Sequence, residues 1–283
     1  MKKFGLLALL SLIWGSQFLF TAVIAHDASA TFIAFGKAIL GGIFLTIVTM
    51  LMQKGNYRKQ WLLYIFIALF EVVLPFIFIA QGQRHVSSGI SSVIMALMPV
   101  FTLLIMFIAT SKKLNLFETI AIILGFIGVV FISWDPQHFD YDSILSLVLL
   151  VSATFCFAIS LVLMQRLKDP SPLHHMRNVL YIASGMLLIL LIIVPHAFTF
   201  DFNGGQWVSL IILGIVHSAL AYVIYNTLVN LYSPIFASLA NYMVPVVGLL
   251  LGLIFLHEHL SVNAIIGIVI VFVSLVLSQK QSA

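Results

Sequence analysis

Residues 60–80 read QWLLYIFIALFEVVLPFIFIA, and residues 206–226 read QWVSLIILGIVHSALAYVIYN. Gln60-Trp61 returns as Gln206-Trp207, an offset of 146 residues. Further on, Pro99-Val100 returns as Pro245-Val246 at the same offset, with no gap between the anchors. Ser87 meets Ser233 and Ser92 meets Ser238 in that register. Leu, Ile and Val matches carry little weight in so apolar a chain. The Gln-Trp and Pro-Val pairs carry the register, and they point to two related halves. Many membrane transporters are built that way.

Hydrophobic residues make up 62% of the chain and charged ones 8%, against roughly 25% charged in a soluble domain. So few charges cannot build a wetted surface, and the surrounding solvent is therefore lipid. A span needs about 20 apolar residues. Unbroken apolar runs favour helices over barrel strands, which would alternate with period two. The pattern predicts an all-α integral membrane protein of ten spans: 4–25, 29–52, 61–81, 88–110, 116–134, 143–165, 174–195, 207–228, 234–256 and 262–279. The connections are short, and the longest polar one runs from Asp135 to Asp142. Lys2-Lys3 and the run after it imitate a signal peptide. However, Phe4 to Ala25 is too long for a signal core and Val23-Ile24-Ala25 is a poor cleavage site, so an uncleaved first helix is expected.

The net charge of +4 comes from basic residues scattered between spans, with no arm or stripe for nucleic acid. The lone Cys156 excludes an internal disulfide or a cysteine metal cluster. With ten spans, Lys2, Lys3, Lys54, Arg58, Lys59, Lys112, Lys113, Arg166, Lys168, Arg177 and Lys280 all fall on one side. The other side has only Arg84, and carries Asp27, Asp135, Asp140, Asp142, Asp201 and Glu258. Cytoplasmic sides collect Lys and Arg, so both termini are expected in the cytoplasm. Each unit, 1–134 and 143–283, holds five spans, an odd number, so the two must be inverted. Lys112-Lys113 aligns with Glu258-His259, and these positions face opposite sides. Spans one and two match six and seven only after a shift of about five residues.

Trp14-Gly15 in span one, the proline-led spans at Pro99 and Pro245, and Leu256-His257-Glu258-His259-Leu260 followed by Gly267 carry a resemblance. Gly125 and Gly128 close the first half in the same manner. With the five-plus-five repeat, the chain resembles the drug/metabolite transporter superfamily, specifically its ten-helix bacterial EamA-type members. That resemblance implies export or exchange of small metabolites, often amino acids, through a central cavity between the halves. It also implies that spans five and ten are peripheral. Two positions depart from the family pattern. An arginine is usual near Lys37, and an acidic residue near Lys112.

Charges at the bilayer centre are costly, so they face a cavity or a partner. Glu71 lies about 15 Å into span three, and Lys37 about 12 Å into span two from the other surface. Both project to a similar level in a core about 30 Å thick. The repeat offset takes Glu71 to His217, midway along span eight. Two titratable side chains thus hold equivalent places near the midplane, where inverted-repeat transporters bind substrate. Gln17, at mid-depth in span one, adds an amide. Substrate binding or proton coupling is therefore expected of Glu71, Lys37, His217 and Gln17, against the plainer reading of a Lys37–Glu71 packing pair. Pro99 and Pro245 are expected to bend their helices. His257-Glu258-His259 lacks the i, i+4 histidine spacing of a zinc helix, and His174-His175 point apart on a helix; no metal or other cofactor is expected. Trp61, Trp134 and Trp207 mark span ends as interfacial residues.

A secondary transporter of small organic solutes is the leading reading, with membrane lipids as surroundings and protons as a candidate coupling ion. A zwitterion such as an amino acid would place its carboxylate on Lys37 and its ammonium on Glu71. Cationic drug efflux is the main alternative. A lipid scramblase needs a polar groove open to the bilayer. A membrane-embedded enzyme needs clustered acid, base or metal ligands, and the histidines here are dispersed. No glycine-rich phosphate loop with its lysine is present, so direct coupling to ATP in this chain is not expected.

Overall fold

In lipid, backbone donors and acceptors find no water, so apolar runs satisfy them internally as helices. A computed structural model describes residues 2–51, 60–110, 115–133, 141–167, 171–232, 236–237 and 239–278. It is all-helical. In chain order the helices are α1 (Lys2–Ile24), α2 (Ala30–Leu51), α3 (Trp61–Gly82), α4 (Ser88–Met95, then Met98–Thr110) and α5 (Leu116–Ser133). They continue as α6 (Tyr141–Met164), α7 (Pro172–Ile193), α8 (Gly204–Leu231), α9 (Ala240–Phe255) and α10 (Val262–Ser278). Seven of these are long and apolar enough to cross a membrane; α5, α9 and α10 are shorter apolar helices. Trp134, Lys112, Lys113, Asp135, Asp140, Ser233 and Ser238 lie outside the described residues.

The packing is reciprocal. From the first half, α1 lies against α8 and α9 of the second; from the second, α6 lies against α3 and α4 of the first. Helix α2 packs on α7 and on the middle of α8, while α7 packs on the middle of α3. Helices α5 and α10 pack on each other and join the rest chiefly through α4. Glycines set these seams, because small residues let backbones approach closely. A Cβ at Gly267 would lie 2.6 Å from the Gly128 carbonyl oxygen, and one at Gly214 would lie 2.5 Å from Leu40 Cβ. Leu62, Ile108, Leu116, Ile192 and Val262 are exposed along the outside of the bundle. Such a broad apolar surface suits lipid contact.

The two prolines are used differently. Helix α4 breaks at Ala96-Leu97, where short turns link Ala96 N–H to Val93 O and Leu97 N–H to Ile94 O. Pro99 then sits in the first turn of the next segment, where its missing N–H leaves no bond unmade. Pro245 lies inside the continuous helix α9. Only one of the pair therefore interrupts a running helix, although both occupy the same repeat position.

Helices α3 and α8 each widen midway into π-helix, at Ala68–Val73 and Leu213–Leu220. At the end of the bundle holding Asp27 and Glu258, a strap joins the α1–α2 and α7–α8 connections. Ala28 pairs antiparallel with Phe200. Ser29 N–H donates to Thr199 O at 2.9 Å, and Asp201 N–H to Asp27 O at 2.6 Å. Phe32 stacks on Phe200 with ring centres 4.4 Å apart. Arg84 donates to Ala25 O at 2.9 Å and Ala28 O at 2.8 Å, drawing the α3–α4 turn to the same place.

Candidate functional site

Glu71 and His217, the residues related by the repeat offset, both fall in the π-helical segments. A π turn carries one residue more than an α turn and frequently marks a functional site. In α8 the side chains support the wider turn. His217 Nδ1 bonds Ile212 O at 3.1 Å and Ser218 Oγ bonds Leu213 O at 3.0 Å, each reaching five residues back.

Burial is nearly complete: Lys37 is 2% exposed, His217 4% and Glu71 8%. Each has a definite neighbour. The Tyr222 hydroxyl, from α8, donates to Glu71 Oε1. Ser160 of α6 flanks the same carboxylate at longer range, and among the described residues its Oγ makes no bond of ordinary length. Trp14 of α1 closes over this group, with ring centres 6.4 Å from Tyr222 and 5.5 Å from Tyr225. His217 Nε2 meets Ser16 Oγ of α1 at 3.0 Å. A carbonyl only accepts, so Nδ1 carries the hydrogen and the neutral ring offers Nε2 as an acceptor to Ser16. The Ser16 hydroxyl also lies 3.0 Å from Ile13 O, so its one proton has two acceptors in reach.

Lys37 does not form the ion pair with Glu71 that their depths allow. Among the described residues its ammonium has no carboxylate partner and lies 4.0 Å from the centre of the Phe76 ring. A cation over an aromatic face is attracted by the ring quadrupole. Lys37 is near enough for its charge to act on His217. The acidic and basic side chains thus occupy two separate poles. Glu71 stands among Tyr222, Tyr225 and Trp14; Lys37 stands by Phe76 and His217. Gln17 is half-buried next to Ser16, and its side chain makes no hydrogen bond among the described residues. Adjacent helical residues do not face the same way, which separates Gln17 from the Ser16–His217 contact.

The partners Ser16, Phe76, Tyr222 and Tyr225 are not marked by the sequence. They are uncharged residues in apolar runs, and only the fold brings them to the charges. Tyr222 carries the faintest of signals: it lies five residues beyond His217, one turn on in a widened helix. Elsewhere, Glu258 of the His-Glu-His run turns to α4, accepting from Ser88 N–H at 2.6 Å and Gly89 N–H at 2.9 Å. His175 is buried and meets the Tyr64 hydroxyl at 2.6 Å.

The EamA-like transporter family model matches residues 2–134 and again 144–279. The uncharacterized transporter YoaV of Bacillus subtilis (strain 168) is 24% identical, over 92% of this chain and 91% of its own. A second from the same organism, the uncharacterized transporter YvbV, is 24% identical over 98% and 91%. Protein PecM of Dickeya dadantii (strain 3937) is 25% identical over 95% and 90%. A solved crystal structure superposes with a TM-score of 0.66 over 98% of this chain and 96% of that one; at 12% identity it speaks for the fold alone. With both halves matched, the chain belongs to the EamA-like transporter family and is a multi-pass membrane protein.

Proposed function

We propose that the protein is a secondary transporter that exports or exchanges small organic metabolites, foremost amino acids or similar zwitterions, across the bacterial cytoplasmic membrane. One observation carries the reading. Glu71 and His217 are repeat equivalents, both lie buried in a π-helical turn, and each bonds a helix of the opposite half. Glu71 of α3 reaches Tyr222 of α8, and His217 of α8 reaches Ser16 of α1. Ten spans in two inverted sets of five, with both termini cytoplasmic, give such a site two mirrored routes to it. Alternating access then consists of breaking the contacts between halves on one side and remaking them on the other. The reciprocal packing of α1 on α9 and α6 on α4 supports this symmetry.

A zwitterion uses both poles, its ammonium on Glu71 and its carboxylate on Lys37. His217 and Gln17 serve as binding or proton-carrying neighbours, and the helix break before Pro99 and the helix-internal Pro245 serve as flexing points. A second reading, export of organic cations, is favoured by the rings of Trp14, Tyr222 and Tyr225 beside a carboxylate that Lys37 does not neutralise. Purified protein in liposomes, screened with amino acids and organic amines with and without an imposed proton gradient, tests both. Saturable uptake of amino acids that is lost on removing either charge supports the zwitterion. Uptake of amines that survives Lys37→Met supports the cation. Failure to carry either class removes the proposal.

A further inference from the structure

Glu258 has a place outside the buried charges. It follows α9, where His257 takes a left-handed backbone with φ 51°. Non-glycine residues rarely adopt that conformation. Here it turns the chain back on its own helix, so that Glu258 N–H bonds Gly252 O at 3.2 Å. The carboxylate then crosses to the other half and accepts from Ser88 N–H and Gly89 N–H, both at the start of α4. Those amides have no acceptor within their own helix, and the helix dipole favours an anion at this end.

The fit is built on both sides. A Cβ at Gly252 would lie 2.3 Å from Glu258 Oε2, and one at Gly89 would lie 3.1 Å from it. Only glycine at 252 leaves room for the carboxylate. Among the described residues, Ser88 Oγ is buried there without a hydrogen-bond partner. An unmade buried bond is unfavourable, so the closed arrangement is held by the carboxylate and opposed by the hydroxyl. The repeat does not supply a second such carboxylate. The repeat counterpart of Glu258 is Lys112, which carries the opposite charge.

We propose that Glu258 is the outer latch of the transport cycle: its carboxylate holds α4 of the first half to the α9–α10 turn of the second, and must leave Ser88 and Gly89 before the site opens outward. This rests on the alternating-access reading and on the orientation given by the basic residues. A reporter is available in Ser91, which is fully buried one turn below the latch on the same face as Ser88. In a Cys156→Ala background, Ser91→Cys is treated in intact cells with a membrane-impermeant thiol reagent. With the latch intact, reaction is slow.

Glu258→Ala is expected to accelerate it about tenfold or more, since even one of its two charge-assisted hydrogen bonds carries a population shift of that size. Gly252→Ala, which keeps the carboxylate but fills its seat, is expected to do the same. The double variant should react no faster than either single one, since both remove one interaction. Glu258→Gln, which keeps an uncharged acceptor, should fall between, and it decides the matter where Glu258→Ala does not fold. Unchanged rates in Glu258→Gln and Gly252→Ala overturn the latch, as does acceleration in the Glu258 variants alone. Faster labelling without transport of any solute leaves the latch standing and removes the transport reading. Transport with unchanged labelling does the reverse.

Discussion

The hydroxyl of Tyr222 donates to the carboxylate of Glu71, joining α8 of the second half to α3 of the first. Glu71 is buried and Tyr222 half-buried, so little water is at hand to replace the bond. Tyr222→Phe is expected to lower thermal stability by about 1–3 kcal/mol, the cost of leaving a buried acceptor unmatched. Glu71→Gln and Tyr222→Phe combined should cost less than the sum of the two, because they remove one shared bond. Unfolding of the four variants in detergent gives the coupling directly; additive losses would show that the two side chains do not act together.

Glu71→Gln keeps size and polarity but removes charge and titration. If the carboxylate receives the substrate ammonium, uptake should fall by about tenfold or more, the weight of a charged hydrogen bond. The pH profile gives the sign. A carboxylate binds a cation only when ionised, so wild-type uptake should decline as pH falls through the titration of Glu71. In Glu71→Gln that decline should vanish from the residual activity. Wild-type rate with a wild-type profile in this variant would leave Glu71 a packing residue.

Gly267 meets the Gly128 carbonyl at the α5–α10 seam, and Ser274 Oγ bonds Ala121 O across it at 2.6 Å. Backbone cannot be repacked around an added side chain as a flexible residue can. Gly267→Val should therefore destabilise the fold by about 1–3 kcal/mol, as overpacking does. Because the seam is remote from Glu71 and His217, the substrate KM of the surviving protein should stay near that of the wild type. A changed KM would connect the seam to the site.

Sidedness is tested with Lys3→Cys and Asp201→Cys in a Cys156→Ala background. The basic-residue pattern expects Asp201→Cys to react with an impermeant reagent in intact cells, and Lys3→Cys only after permeabilisation. The reverse result would invert the assigned orientation, and with it the outer position of Glu258.

Long apolar runs make the helices legible, since in lipid a backbone has few ways to satisfy itself. Glu71 and Lys37 are legible because charge stands out in such runs, and His217 because the offset from Gln60-Trp61 leads to it. The contacts of these residues are not legible. Tyr222, Ser16 and Phe76 resemble any packing residue until α8, α1 and α3 are brought together. Lys37 has a carboxylate at matching depth, yet its ammonium meets Phe76, because depth does not specify rotation about the helix axis. The π-helical turns depend on which carbonyl each side chain finds, and no residue periodicity records that. Pro99 and Pro245 show the same limit. One residue type at one repeat position begins a helix segment in one half and lies within a helix in the other.

The strap through Ala28 and Phe200 has a mechanical consequence. A bridge between two connections resists being pulled apart more than a single side-chain contact does, since two backbone bonds must break together. Where the Glu258 carboxylate is one removable clasp, the Asp27–Asp201 region is a stitched spine. On the latch proposal, opening at this end is a swing about that spine. Disulfide stitching at the spine would leave such a swing intact, while the same stitch at the clasp would stop it.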